Sequence, residues 1–451
     1  MNDTIAAIST ALGVGAISII RISGKEAIEI VNKITKSKKL INAKTHTINY
    51  DFIVEDDLII DEVLISVMRS PKTFTKEDIV EINCHGGIAT TNKVLELLLI
   101  NGCRLAEPGE FTKRAFLNGR IDLIEAEGIM NLINSKTEAS RNLAINQVSK
   151  KTSLMIQNLR DKIIKILANI EVNIDYPEYE DIEEVTNSKI NDEINKIEEE
   201  IKNIINKSEN GKLIQEGIKV ALIGKPNVGK SSLLNCLLDE EKAIVTDIEG
   251  TTRDLVEGVI TIDGIVLNII DTAGIRKTTD IVESIGVNKS INLIEESDLV
   301  LLLLNNNEVL SNEDIELINK LKNKNYIIVI NKNDLESKIN IELLDKDKIV
   351  FISALNNKGI DDLKNKIKQI FNLEKIETKD MTYLTSARAL SLLKQCLISI
   401  EEVKKGIDLN NPIDMVEIDL KNIWQLLGSI IGQTYEDELI DQLFSQFCLG
   451  K

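Results

Sequence analysis

The stretch KLIQEGIKVALIGKPNVGKSS, residues 212–232, constrains this chain more than any other. An apolar run that reads as a strand leads into GKPNVGKS, Gly224 to Ser231, and a helix pattern follows directly. That order separates a working GxxxxGK[ST] phosphate loop from a chance match. Backbone N–H groups of the loop and the helix N-terminus suit phosphate oxygens. Lys230 is placed to reach the β and γ oxygens, Ser231 to offer a hydroxyl to Mg²⁺, and Asn227, Val228, Gly229 and Ser232 complete the predicted contacts.

Around this loop the chain changes texture three times. Residues 1 to about 118 mix strand-like runs, GAISIIRIS and EDIVEINC, with the helix-like TNKVLELLLING, an α+β pattern. From about 119 to 214 the periodicity is helical, with Ile190, Ile194, Ile197, Ile201 and Ile204 lining one face. Residues 215–373 then place VLNIID, DLVLLLL, YIIVINK and IVFISAL among helix patterns, as a doubly wound sheet requires. Helical pattern resumes over 374–451, so the economical reading is a nucleotide domain inserted into a helical one.

Composition sets the outer bounds. A formal net charge of −18 over 451 residues argues against a broadly basic, phosphate-neutralising surface. Cys84, Cys103, Cys236, Cys396 and Cys448 are odd in number and widely spaced, which fits reduced thiols and a cytoplasmic setting. The opening MNDTIAAIST lacks a basic signal region, and no apolar run reaches the ~18 residues of a spanning helix, so no membrane role is expected.

Further motifs narrow the nucleotide. NKND, residues 331–334, resembles the NKxD element with which GTPases read guanine. Asn331 and Lys332 belong to it, and Asp334 can accept hydrogen bonds from guanine N1–H and N2–H₂, a pairing adenine cannot make. SAL, Ser353, Ala354 and Leu355, matches the loop that supports the base. TDIEGTTRD spans Thr246, Asp247, Ile248, Glu249, Gly250, Thr251, Thr252, Arg253 and Asp254 and stands where GTPases have switch I, with Thr252 expected on Mg²⁺. DTAG, Asp271, Thr272, Ala273 and Gly274, stands where they have switch II. Ile275 follows it and has no polar group to orient water.

The chain as a whole resembles the MnmE, or TrmE, family of bacterial tRNA-modification GTPases. The resemblance rests on DTIAAISTALGVGAISIIRISG, EDIVEINCHGG and PGEFTKRAFLNGRIDLIEAEGIMNLI before the G motifs, and on FCLGK after them. It implies a multidomain α/β plus α fold: an α+β folate-binding and dimerisation domain, a helical domain, and an inserted Ras-like G domain. It further implies a homodimer working with the FAD-dependent MnmG on the wobble uridine of certain tRNAs. The product is an aminomethyl-type group, such as carboxymethylaminomethyl, at carbon 5, built with the one-carbon unit of a 5-formyl-tetrahydrofolate-type folate. Matching motifs put folate contacts on Arg21, Glu81, Arg120 and Lys451, with Arg120 standing where the family often has lysine. Cys448 becomes a candidate nucleophile or acid beside a reading as a packed thiol, and His85 reads as a turn-stabilising residue.

The same resemblance answers the apolar Ile275. Asn227 with TDIEGTT is similar to the potassium-binding arrangement of K⁺-activated GTPases, which implies K⁺ held by Asn227, by Thr246 and Ile248 carbonyls and near Thr251. Glu283, twelve residues beyond Asp271, becomes the carboxylate that orients water. Arg253 and Arg276 are expected in switch contacts, not as fingers. A rival reading, a ribosome-assembly GTPase of the Era or Der kind, lacks the basic KH-type module or tandem G domain it needs.

Overall fold

The structure is a computed structural model that describes residues 3–175, 187–240, 258–262, 264–271, 293–371, 373, 382–434, 437–447 and 450. Two compact units emerge: residues 1–130, 147–199 and 391–451 form one, and residues 131–146 and 200–390 form the other.

The first unit opens with an α+β layer. Strands β1 (Ile5–Ile8), β2 (Ile17–Ser23), β3 (Thr47–Glu55), β4 (Leu58–Met68), β5 (Ile79–His85) and β6 (Arg104–Leu105) pair in the order β3-β4-β5-β2-β1-β6. The expected runs GAISIIRIS and EDIVEINC become β2 and β5, antiparallel neighbours with Arg21 opposite Glu81. Alternate residues Ile20, Ile22, Ile65, Val67, Val80 and Ile82 are buried against helices α1 (Ala27–Ile34) and α2 (Ile88–Ile100). One covered face frees the other for polar side chains, and Arg21 and Glu81 stand there.

Helices α3 (Glu110–Leu117), α4 (Leu123–Asn134), α5 (Glu138–Val148), α6 (Lys151–Asp175) and α7 (Asn187–Glu216) follow in the chain. The isoleucine stripe of α7 drifts from its expected course. Ile190, Ile194, Ile197 and Ile201 are buried, but Ile205 at 7% exposure takes the place expected of Ile204. A step of 3.6 residues from Ile201 falls between those two positions, and the stripe continues to buried Ser208.

The second unit is a parallel sheet with one antiparallel edge. Strands β7 (Ile218–Ile223), β8 (Gly258–Ile262), β9 (Ile265–Asp271), β10 (Leu299–Asn305), β11 (Tyr326–Asn331) and β12 (Ile349–Phe351) lie in the order β12-β11-β10-β7-β9-β8. Only β8 runs antiparallel to its neighbour. Alternation divides the central strands between two cores. Val220, Leu222, Leu301, Leu303, Ile327 and Val329 face helices α8 (Lys230–Glu240) and α10 (Ile360–Ile370). Ala221, Ile223, Val300, Leu302, Leu304, Ile328 and Ile330 face the side of α9 (Asn312–Lys320). Burial on both faces explains why these strands read as unbroken apolar runs.

Helices α11 (Ala387–Asp408), α12 (Ile413–Ile430) and α13 (Asp437–Phe444) complete the chain. Within the first unit α6 packs along α12, where the Arg160 guanidinium lies 3.9 Å from the centre of the Trp424 ring. Among the described residues no helix is long and apolar enough to cross a membrane.

Candidate functional site

The phosphate loop sits at the carboxyl end of β7, where a parallel sheet opens its ligand crevice. Two glycines let the loop close. Gly224 has φ +153, and a Cβ there would meet the Leu303 carbonyl oxygen at 2.6 Å. Gly229 has φ +96, and its Cβ would lie 2.2 Å from Asn331 Nδ2. Asn227 between them takes a left-handed φ of +64, which asparagine tolerates better than most side chains. Lys230 Nζ donates to the carbonyls of Gly224 at 2.7 Å and Lys225 at 3.0 Å, folding the side chain back over its own loop. Ser231 and Ser232, at the start of α8, are exposed, as is Asn227. Val228 is buried.

Asn331 ties this loop to the region expected to read the base. Its buried side chain donates through Nδ2 to the Val228 carbonyl at 2.8 Å and accepts through Oδ1 from the Ala354 N–H at 3.1 Å. One amide thus joins GKPNVGKS, NKND and SAL. Asp334 is exposed, and its Oδ1 accepts from the Ser353 hydroxyl at 2.6 Å. That bond, above all, holds the Asp334 carboxyl below the usual carboxylate range. Lys332 adopts φ +62 at the turn between β11 and this loop. Ser353 and Ala354 are buried, Leu355 is 87% exposed, and Cys236 Sγ on α8 donates to the Ala354 carbonyl at 2.8 Å.

Several expected residues fall outside the described ones: Thr246, Asp247, Ile248, Glu249, Gly250, Thr251, Thr252, Arg253, Thr272, Ala273, Gly274, Ile275, Arg276, Glu283, Cys448 and Lys451. Asp271 is described in its backbone, as the end of β9 opposite Leu222. Among the described residues no group of three His, Cys, Asp or Glu side chains gathers to hold a metal. The hydroxyl of Ser231 and the amide of Asn227 are nonetheless hard oxygen donors, which suit Mg²⁺ and K⁺.

The second cluster lies on the open face of the N-terminal sheet. Arg21 Nε donates to Glu81 Oε1 at 2.8 Å, and both side chains keep about a fifth of their surface exposed. The Arg21 guanidinium also stands over the rings of Phe74, at 6.0 Å, and Phe111, at 5.8 Å. Exposed Arg120 approaches the same Phe74 ring at 4.9 Å. A cation, a carboxylate and an aromatic surface together suit a flat conjugated ligand with carboxylates.

Gly450 is seated on the strand next to the one that carries Arg21. Gly450 has φ +84, its Cβ would lie 2.3 Å from the Ile8 carbonyl, and its own carbonyl accepts from Ser9 Oγ at 3.0 Å. Ile8 adjoins Ala7, the cross-strand partner of Arg21. Phe447 packs with Phe444 against Gly109 at the start of α3. These described neighbours flank Cys448 in sequence. His85 bonds Asp61 through both its backbone N–H, at 2.8 Å, and its ring Nδ1, at 2.7 Å. The Asp61 bond raises its pKa and fixes the end of β5.

Sequence reasoning missed Phe74, Lys225 and the double role of Asn331. Phe74 carries no periodic signal, and Lys225 looked like one of the variable loop positions. Gly450 was visible inside FCLGK, but only its conformation gives it a reason.

Comparison with known proteins agrees with this layout. A family model described as the GTP-binding protein TrmE N-terminus matches residues 4–120, and one described as the MnmE helical domain matches residues 123–448. The tRNA modification GTPase MnmE of Bacillus cytotoxicus is 52% identical over 455 residues, covering 100% of this chain and 99% of that protein. The same protein of Streptococcus thermophilus is 52% identical over 451 residues, 100% of this chain and 98% of its own length. That of Bacillus subtilis is 50% identical over 458 residues, 100% of each. Among solved structures, the G domain of the T. maritima FeoB iron transporter is 31% identical, over 34% of this chain and 97% of its own, with a TM-score of 0.26. With identity near half over its full length and a family model spanning most of its residues, the chain belongs to the MnmE family of tRNA modification GTPases.

Proposed function

We propose that this chain is a K⁺-activated GTP hydrolase that drives modification of the wobble uridine of certain tRNAs. The observation that carries the reading is the Asn331 side chain, which joins the phosphate loop to the NKND and SAL loops across one crevice. Lys230 attracts the β and γ oxygens, and Asp334, kept ionised by Ser353, accepts from guanine. Glu283 orients the attacking water in place of a side chain at Ile275. Bound Mg²⁺ neutralises phosphate charge, K⁺ adds positive charge where other GTPases insert an arginine, and a folate contributes the one-carbon unit.

On this reading Ser231, Thr252, Asn227, Thr246, Ile248 and Thr251 supply oxygens to the two cations. Arg21, Glu81, Arg120 and Lys451 hold the 5-formyl-tetrahydrofolate-type folate, and Cys448 lies in the same neighbourhood. The fit of Arg21, Arg120 and Phe74 to a flat, acidic ligand supports that assignment. Residues 1–118 dimerise and bind folate, 215–373 hydrolyse GTP, and 119–214 with 374–451 pass movement between them. The FAD-dependent MnmG and a second copy of this chain complete the assembly, with MnmG carrying much of the tRNA-binding surface, as the charge of −18 suggests.

The test is turnover by the purified full-length protein. GTP hydrolysis in K⁺ should exceed that in Na⁺ by about tenfold or more, and Glu283→Gln should lose hydrolysis while still binding GTP. Equal rates in the two salts would remove the cation role, and normal turnover in Glu283→Gln would remove the carboxylate.

A further inference from the structure

Lys225, the second residue of GKPNVGKS, makes a contact that the phosphate-loop motif does not itself require. Its Nζ lies 3.0 Å from Asp314 Oδ2 and also donates to Ser311 Oγ. Asp314 is almost wholly buried at the start of α9. Its Oδ2 already accepts from the Ser311 N–H at 2.9 Å and the Ser311 hydroxyl at 2.8 Å, and the Asp314 N–H donates to Ser311 Oγ at 3.3 Å, which closes a capping box. The other end of the same residue faces the site, because the Lys225 carbonyl accepts from Lys230 Nζ at 3.0 Å.

Lys225 is therefore gripped at its side chain and carries Lys230 on its backbone. Lys225 and Asp314 also border a small gap of about 10 Å³, whose walls include Asn305 as well as Leu304, Val309 and Leu310. Asn305 Oδ1, on that gap, is buried without a hydrogen-bond partner. Asn331 holds Val228 in the second half of the loop, and the Lys225–Asp314 pair anchors the first half, where Gly224 lies close against the Leu303 carbonyl.

We infer that Lys225 is a positioning residue, an ionic tether to Asp314 that fixes the first half of the phosphate loop, and with it the backbone on which Lys230 Nζ rests, before nucleotide arrives. The inference rests on reading this crevice as the GTP site. Without the tether the loop must be ordered at the moment of binding, and affinity falls by that ordering cost.

GDP titration of the full-length protein, with circular-dichroism melting of each variant, tests it. Lys225→Met keeps the apolar stem and removes the charge, and Asp314→Asn keeps an oxygen for the capping box and removes the charge from the other side. Each should weaken GDP binding about tenfold, with melting close to wild type, and Lys225→Arg should restore affinity to within about threefold. Wild-type affinity in Lys225→Met, or equal weakness in Lys225→Arg, overturns the tether. Failure of both charge-removing variants to fold also overturns it, because the pair then serves the fold. A wild-type protein that does not bind GDP is a different result: it refutes the GTP site itself and the tether with it.

Discussion

Asn331 shows how much one side chain can decide. Its amide satisfies the Val228 carbonyl and the Ala354 N–H at once, in the interior where an unpaired group is costly. Asn331→Ala should lower the stability of the second unit by about 2 kcal/mol and weaken guanine nucleotides more than phosphate alone. Chemical denaturation and competition between GTP and pyrophosphate measure the two effects. Gly229→Ala is harsher, since its Cβ would fall 2.2 Å from Asn331 Nδ2 at a φ of +96. That variant should fail to bind nucleotide in the same titration while Gly13→Ala, which meets nothing within 4 Å, binds normally. The identities of Asn331, Lys230 and Asp334 were legible because their motifs are local. The Lys225–Asp314 pair was not, since its partners are separated by 89 residues and neither charge carries a signal in the sequence that points to the other.

Between elements, the first unit depends on a buried ionic knot. Arg114 on α3, 1% exposed, reaches Glu110 at 2.9 Å, Asp3 at 2.9 Å and Glu77 at 3.2 Å, while Arg104 on β6 also grips Glu110. Burial raises the Glu110 carboxyl, but bonds from Arg104, the Glu107 N–H and Arg114 outweigh it, and its pKa ends below the usual range. A folded-state value below the unfolded one gives stability that is full above the ordinary carboxylate pKa and lost as pH falls through the lowered value. The first unit should therefore weaken as pH drops below about 4, as read from the fluorescence of Trp424, the chain's single tryptophan. Arg114→Met takes the arginine from Glu77 and leaves Asp3 and Glu110 to Arg104 alone, and should cost about 3 kcal/mol by the same probe. Unchanged midpoints would mean the knot is not needed. Strand β10 was legible as an unbroken apolar run because both its faces are buried, and the α7 stripe, as far as Ile201, because burial of one face writes a period into the sequence. The knot was not, because β6 has two residues and α3 only eight, too short for periodicity to announce what they hold together.

At the scale of the molecule, the phosphate-loop sheet lies within a chain whose described residues near either end, Ser9 and Gly450, meet at the other sheet. Ser9 bonds Gly450 across 441 residues, which brings the end of the chain to the sheet that carries Arg21 and Glu81. The insertion was legible from the sequence as a change of period on either side of the phosphate loop. The closure of the termini was not, because it rests on one backbone carbonyl and a left-handed glycine. Such an arrangement gives GTP hydrolysis a purpose only if the chemistry on tRNA depends on it. Nucleoside mass analysis of tRNA from cells in which this chain is replaced by its Lys230→Ala variant tests that dependence. The carbon-5 modification of the wobble uridine should be lost although the protein is still present. Undiminished modification would contradict it.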